Sequence, residues 1–287
     1  MPQRWTIVEV GAGRGDFALG VLTSLQIDFP DVFAATNYLI DELSDDAREQ
    51  AKAKLSEFKD RIEFRSLSEI SKPLSRAIVF SNVLLDAFPV HRVIRRDGAL
   101  RELLVNVNES GDFIWLESDL ETRVAEYCRR IKLQLEEGQI HEVNLDAEDF
   151  VARASALIEQ GFLITVDYGA ERNDLLRDPS RFSGTLRSFR RHQIGQDLLS
   201  QPGEQDLTAT VDWSLVKEAG ARNDLQTLRL ERLDQFLLSE GALEMITSAG
   251  KHMTDHMELF NFNAGGREMI MPNGMAAHFQ VLVQRKV

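Results

Sequence analysis

Residues 8–17 read VEVGAGRGDF, a β-branched apolar run that ends in glycines at alternate positions, Gly11, Gly13 and Gly15. The run reaches back to Trp5, so WTIVEV (5–10) predicts a short buried strand, and DFALGVLTSL (16–25) follows with Phe17, Leu19, Val21, Leu22 and Leu25 at helical spacing. Strand, glycine-rich turn and helix form the opening unit of an α/β sheet, in which turn N–H groups approach a ligand and the helix adds its positive dipole end. Further along, TNYLIDE (36–42) predicts a second strand, and SDDAREQAKAKLSEF (44–58) a helix with Ser44 as N-cap and acids in its first turn. RIEFRS is a third strand and RAIVFSN (76–82) a fourth. Strands alternating with helices imply right-handed crossovers and a mostly parallel sheet covered on both faces.

After Asn82 the rhythm changes. HRVIRRDGALRELLVNVNESGDFIWLES contains two turn signals, Asp97-Gly98 and Ser110-Gly111, and reads as an antiparallel ribbon inserted in the parallel core. DLETRVAEYCRRIKLQLEEG and DAEDFVARASALIEQG predict helices with glycine C-caps. GFLITVDYG (161–169) is too continuously apolar for a surface strand and is expected at the sheet centre. Residues 171–211 are polar, Arg-rich and weakly periodic, the pattern of a lid or binding loop. A helix near 212–219, further helices and a final strand AHFQVLVQRK would close the sheet with an antiparallel edge. The expected organisation is a single domain over 1–287, with an insertion at 92–160 and a lid-like loop at 171–211.

Composition narrows the function classes. A hydrophobic share of 43% with 28% charged residues is that of an ordinary globular chain, and no stretch approaches the roughly 18 apolar residues of a membrane span. With 33 basic against 46 acidic residues, a net charge of −13 argues against nucleic acid as a partner. Cys128 is the single cysteine, which excludes an internal disulfide framework and a Cys-rich zinc site. Its helical surroundings favour a buried thiol. The absence of a leader pattern and the lone thiol point to the cytoplasm.

The ligand of the glycine turn depends on spacing. A dinucleotide site wants glycine at the first, third and sixth positions, but the sixth here is Asp16, whose charge at the helix N-terminus would repel a diphosphate. A cationic or zwitterionic ligand such as S-adenosylmethionine (SAM) suits the turn better, and Glu9 before it suits an amino group. Glu42, 27 residues past Gly15, loosely matches the acid that grips a ribose diol. Taken alone, E-x-G-x-G-x-G is equally compatible with a merely tight turn and a solvated Glu42.

Three further stretches shift the balance: SNVLLDAFPVHRV (81–93), GTLRSFRRH with PGEQDLTATVDW (184–192 and 202–213), and REMIMPNGMAAHFQVLV (267–283). Together with GFLITVDYG they resemble the MidA-like family of SAM-dependent methyltransferases, whose best-known branch methylates an arginine of a partner subunit during mitochondrial complex I assembly. The resemblance implies an α/β, class I methyltransferase (Rossmann-like) fold: a seven-stranded, mostly parallel sheet with the last strand antiparallel and an inserted β-ribbon and helical region. It also implies SAM as cofactor and a protein substrate. Glu9, Gly11, Ala12, Gly13 and Gly15 would line the methionine end, Glu42 the ribose, and Ser81 with Asn82 the end of the fourth strand. The family's Asp-x-x-Pro-x-His falls on Asp86, Pro89 and His91, making Asp86 and His91 the catalytic candidates. Two departures stand out. Val83 occupies the position where many members carry Glu after Asn, and the first predicted strand begins at about Trp5, where members usually carry a helical segment ahead of it.

Each candidate also has a plainer reading. Asp86 is as well suited to helix capping as to facing a guanidinium with Glu204 and Asp206 of the lid-like loop. His91 suits a structural hydrogen bond. His252 and His256 sit one helical turn apart, but no third ligand accompanies them, so no metal site is expected. Arg187, Arg190 and Arg191 form a basic cluster that suits an acidic partner, the SAM carboxylate or local ion pairs. Two functional classes remain: an enzyme methylating a protein arginine or similar nitrogen nucleophile, and a catalytically weak or inactive SAM-fold assembly factor.

Overall fold

The computed structural model describes residues 3–190, 193–195, 197–250 and 255–287. Along the chain the strands are β1 Trp5–Val10, β2 Thr36–Asp41, β3 Ile62–Phe64, β4 Ala77–Asn82, β5 His91–Arg96, β6 Ala99–Val107, β7 Phe113–Ser118, β8 Ile140–Val143, β9 Gly161–Asp167, β10 Gly169–Ala170, β11 Arg187–Arg190, β12 Gln193–Gly195, β13 Asp206–Thr208, β14 Val211–Asp212, β15 Gln226–Arg232 and β16 Gln280–Lys286. The helices are α1 Asp16–Asp28, α2 Pro30–Ala34, α3 Asp45–Lys54, α4 Thr122–Ile131, α5 Leu145–Leu157, α6 Arg172–Arg177, α7 Trp213–Arg222, α8 Leu233–Ser239, α9 Ala242–Gly250 and α10 His256–Ile270.

These elements fall into two compact units, Met1–Leu84 with Val151–Tyr168 and Ala219–Val287, and Leu85–Phe150 with Gly169–Glu218. The first unit holds a seven-stranded sheet in the order β15-β16-β9-β4-β1-β2-β3. All neighbours from β9 to β3 pair in parallel, and β16 runs antiparallel to both β9 and β15. This is the expected α/β class with its antiparallel last strand. The final strand is not the edge, however. β16 lies inside the sheet because VLV at 281–283 is buried, and β15 takes the outer place.

The apolar runs go where their continuity predicts. β9 sits between β4 and β16, with Leu163 wholly buried. On one part of the sheet Tyr38 and Ile40 pack with Ala18 and Leu22 of α1 and with Ala51, Leu55 and Phe58. Ser44 caps α3 as expected, its hydroxyl accepting the Ala47 N–H at 3.2 Å.

The second unit contains a four-stranded antiparallel sheet, β7-β6-β5-β8, and a three-stranded one, β12-β11-β13. The predicted ribbon is present as β5–β7. Asp97 and Gly98 both have positive φ, 50° and 77°, which matches the right-handed twist of a two-residue hairpin. Three details differ from expectation. The helix expected over 119–138 ends at Ile131, where Lys132 turns left-handed at φ 52°. β8 follows it, unpredicted. The stretch 171–211, expected as an irregular lid, carries α6 and the three strands β11–β13 in its described residues. Arg191 and His252 lie outside the described residues.

Candidate functional site

In a parallel sheet the ligand crevice opens at the carboxyl ends of the strands, where the strand order reverses. Here the reversal falls between β1 and β4, and the glycine turn leaves β1 at that point. Gly11, Gly13 and Gly15 all have positive φ, 72°, 54° and 77°. Gly15 is required twice over: it is the left-handed N-cap of α1, and a Cβ there would stand 3.0 Å from Leu55 Cδ1 and 3.2 Å from Ala51 Cβ.

Glu42 follows β2 and ties the turn in place. One carboxylate oxygen accepts the Gly13 N–H at 2.7 Å, and the other accepts the Ser44 N–H at 2.8 Å. The Arg48 guanidinium holds the Glu42 carbonyl oxygen at 2.8 Å, which fixes the backbone from which this side chain projects. Glu9, on β1, is buried at 4% exposure, and its carboxylate accepts the Tyr38 hydroxyl at 2.8 Å. Burial pushes the Glu9 carboxyl up to about 7; the Tyr38 bond works against the rise and the charge of Glu42 adds to it.

Beyond Glu42 a cavity of 240 Å³ opens between the ends of β2 and β3, with Ile40, Asp41, Leu43, Phe64 and Ser66 among its lining residues. Leu43 is 87% exposed, an apolar side chain held against water immediately after the acid. Asp41 accepts the Leu67 N–H at 2.8 Å, and burial holds it above the usual carboxylate range. Sequence reasoning missed Asp41, Leu43 and Ser66; the signal was their position at the carboxyl ends of β2 and β3.

The structure thus brings Glu9, Gly11, Ala12, Gly13, Gly15, Glu42 and Asn82 to the carboxyl ends of β1, β2 and β4 of one unit. Ser81 is wholly buried inside β4, and its hydroxyl has no partner among the described residues. Asp16 stands in the first turn of α1 as expected, its exposed side chain paired with Lys54, and Glu42 adds a carboxylate beside the turn, with Glu9 buried behind it. Two carboxylates and a turn at positive φ fit a ligand with an ammonium group and a diol, and disfavour a diphosphate.

Over residues 1–230 the chain matches a family described as "Putative S-adenosyl-L-methionine-dependent methyltransferase". The chain belongs to this family. A similar curated relative is the mitochondrial protein arginine methyltransferase NDUFAF7 homolog of Drosophila melanogaster, 30% identical over 235 residues, which cover 72% of this chain and 49% of that one. The Caenorhabditis elegans homolog is 27% identical, covering 75% and 53%. The chain therefore spans about half the length of the curated relatives it matches. A crystal structure of a Burkholderia thailandensis superfamily protein bound to S-adenosyl-homocysteine superposes with a TM-score of 0.84 at 25% identity, covering 99% of this chain and 72% of that one. The fold of a family member and the expected MidA-like resemblance both stand.

The remaining candidates, apart from His256 of the first unit, belong to the second unit. Asp86 is 4% exposed and accepts the Thr208 hydroxyl at 2.6 Å. His91 Nδ1 lies 2.7 Å from Glu102 Oε1. Glu204 pairs with Arg190 at 2.9 Å, and Arg187 donates to the Thr210 hydroxyl at 3.0 Å, so these two arginines serve local contacts. Asp206 is exposed on β13, and His256 is exposed at the start of α10. Cys128 is buried in α4, where desolvation raises its thiol to about 11. Among the described residues no helix is long and apolar enough to cross a membrane.

Proposed function

We propose that this chain binds SAM at the β1–β4 switch and methylates a nitrogen nucleophile, an arginine of a partner protein. The observation that carries this reading is the Glu42 carboxylate bridging the Gly13 and Ser44 N–H groups beside the buried Glu9. When bound, SAM supplies a methyl group already activated on a sulfonium. The protein's share is binding, orientation and exclusion of water.

In this reading Glu42 holds the ribose diol, the Gly11–Gly13 backbone and Ala12 face the methionine end, and Glu9 sets a negative field behind it. Asn82 faces the reacting region from the end of β4. The 240 Å³ cavity with Leu43 receives the adenine. Asp86, buried against Thr208, positions the second unit's acceptor-binding residues, and His91 contacts the acceptor. A protein substrate is supported by the names of the animal relatives, which are protein arginine methyltransferases. A reducing, cytoplasmic compartment suits the single buried thiol, whereas those relatives carry mitochondrial names.

Within the described residues the assembly-factor reading is supported by Val83, an apolar residue in the place of a family carboxylate. Calorimetry decides first. Titration with SAM is expected to show binding, and Glu42→Ala to weaken it by about 1–3 kcal/mol through lost buried hydrogen bonds. Absence of heat from the native chain overturns the SAM reading. SAM binding without methyl transfer to any arginine-bearing partner favours the assembly factor.

A further inference from the structure

The second unit contains a cavity of 480 Å³ whose walls include Phe88, Val90, Leu103, Trp115, Leu199 and Leu207. That volume lies within the range of small-ligand pockets. Three polar side chains, His91, Arg92 and Glu102, also line it, and His91 and Glu102 face each other across the β5–β6 hairpin, Nδ1 to Oε1 at 2.7 Å. Glu102 is 3% exposed, and its second oxygen accepts the Glu121 N–H at 2.8 Å, so the carboxylate cannot swing away from the imidazole. A carboxylate at this distance places the imidazole proton on Nδ1 and leaves the Nε2 lone pair available. Among the described residues no hydrogen bond engages Nε2.

The neighbouring cation is already balanced. Arg92 pairs with buried Glu142 at 3.2 Å, donates to the Ser183 carbonyl oxygen at 2.9 Å and stacks over Trp115 at 4.7 Å. Glu102 therefore brings an acidic side chain, partnered by the His91 imidazole, to the wall of a largely apolar cavity. The complementary occupant is a cation on an aliphatic stem: the methylenes cover the apolar walls and the charged head meets the imidazole.

We propose that Glu102 is a positioning residue that sets His91 Nε2 to accept a hydrogen bond, and then the proton, from a guanidinium side chain seated in this cavity. The proposal rests on the methyltransferase reading. As the nucleophilic nitrogen forms its bond to the methyl carbon, the carbon–sulfur bonding pair stays on the donor sulfur. The N–H bonding pair stays on nitrogen, and the proton passes to Nε2 and from there to water.

The test needs a readout other than activity. ¹⁵N NMR of the imidazoles at about pH 8 is expected to show His91 with its proton on Nδ1 in the native chain and in Glu102→Gln, whose amide oxygen still accepts, and a mixture of tautomers in Glu102→Leu. Added N-acetyl-arginine amide is expected to move the Nε2 signal, while N-acetyl-glutamine amide leaves it in place. With an arginine-bearing partner, Glu102→Leu is expected to lower kcat by about tenfold or more at similar KM, and Glu102→Gln to recover most of it. A native tautomer with the proton on Nε2, or a signal indifferent to the arginine probe, overturns the proposal. So does full kcat in Glu102→Leu. SAM calorimetry on the same variants is expected to be unchanged; if the native chain binds no SAM, it is the methyltransferase reading that fails, and the tautomer and arginine-probe results still decide the role of Glu102.

Discussion

Glu9 concentrates the tension of the site in one carboxyl group. It is buried beneath the glycine turn, receives a single hydrogen bond from Tyr38, and faces the charge of Glu42. Its carboxyl rises from 4.5 to about 7 on folding, so the folded chain holds this proton more tightly than the unfolded chain. The associated stability is present in full below about pH 4.5 and is lost as pH rises through 7. A shift of this size corresponds to about 3 kcal/mol for a buried group. Glu9→Gln keeps an acceptor for Tyr38 and removes the ionisation. The variant is expected to match the native chain at low pH and to exceed it by about 2–3 kcal/mol at pH 8 in urea titrations, while binding SAM more weakly. Denaturation midpoints that stay parallel across this pH range would mean that Glu9 is not held as the structure places it.

At the scale of elements, β4 ends in strain. Val83 adopts φ 53°, a left-handed conformation costly for a β-branched residue, and its N–H bonds to the Val166 carbonyl oxygen at 2.8 Å. Asn tolerates this region far better. Val83→Asn is expected to raise stability by about 1 kcal/mol in thermal unfolding, with the β4–β9 pairing kept; a loss of stability would place the value of Val83 in side-chain packing. The elements legible in the sequence were those whose burial is continuous or strictly patterned, β1, β2, β4, β9 and the amphipathic helices. β8 was not, because two of its four residues are His141 and Glu142, polar side chains whose burial is tolerated only once Arg92 and Thr185 from other segments reach Glu142. β11–β13 are polar and exist through mutual pairing. The same limit governs the site. Glu9, Glu42 and the glycines are a local spacing, visible in one dimension. The partnership of His91 with Glu102 depends on hairpin register, and Leu43 gains meaning only beside a cavity.

At the scale of the whole molecule, the two units carry opposite responses to acid. His141, on β8 of the second unit, is buried at 5% exposure, and desolvation holds its imidazole below the ordinary 6.5, outweighing the pull of Asp212 and Glu142. The folded chain thus keeps His141 neutral where the unfolded chain accepts a proton. Its contribution to stability is present above about pH 6.5 and is lost as pH falls. Glu9, in the first unit, has the reverse dependence, and so the order in which the units open is expected to depend on pH. Hydrogen exchange read by mass spectrometry, corrected for the intrinsic rate, checks this. At about pH 5.5 the β5–β8 sheet is expected to lose protection before the seven-stranded sheet, and at pH 8 its margin over β1 and β2 is expected to improve. His141→Phe, which puts an apolar ring of similar size on β8 and removes a buried nitrogen without a partner among the described residues, is expected to abolish the acid-side loss in the second unit and leave the first unit's profile unchanged. Equal acid sensitivity of both units in the native chain, or an unaltered second-unit profile in the variant, would assign the acid response to other groups.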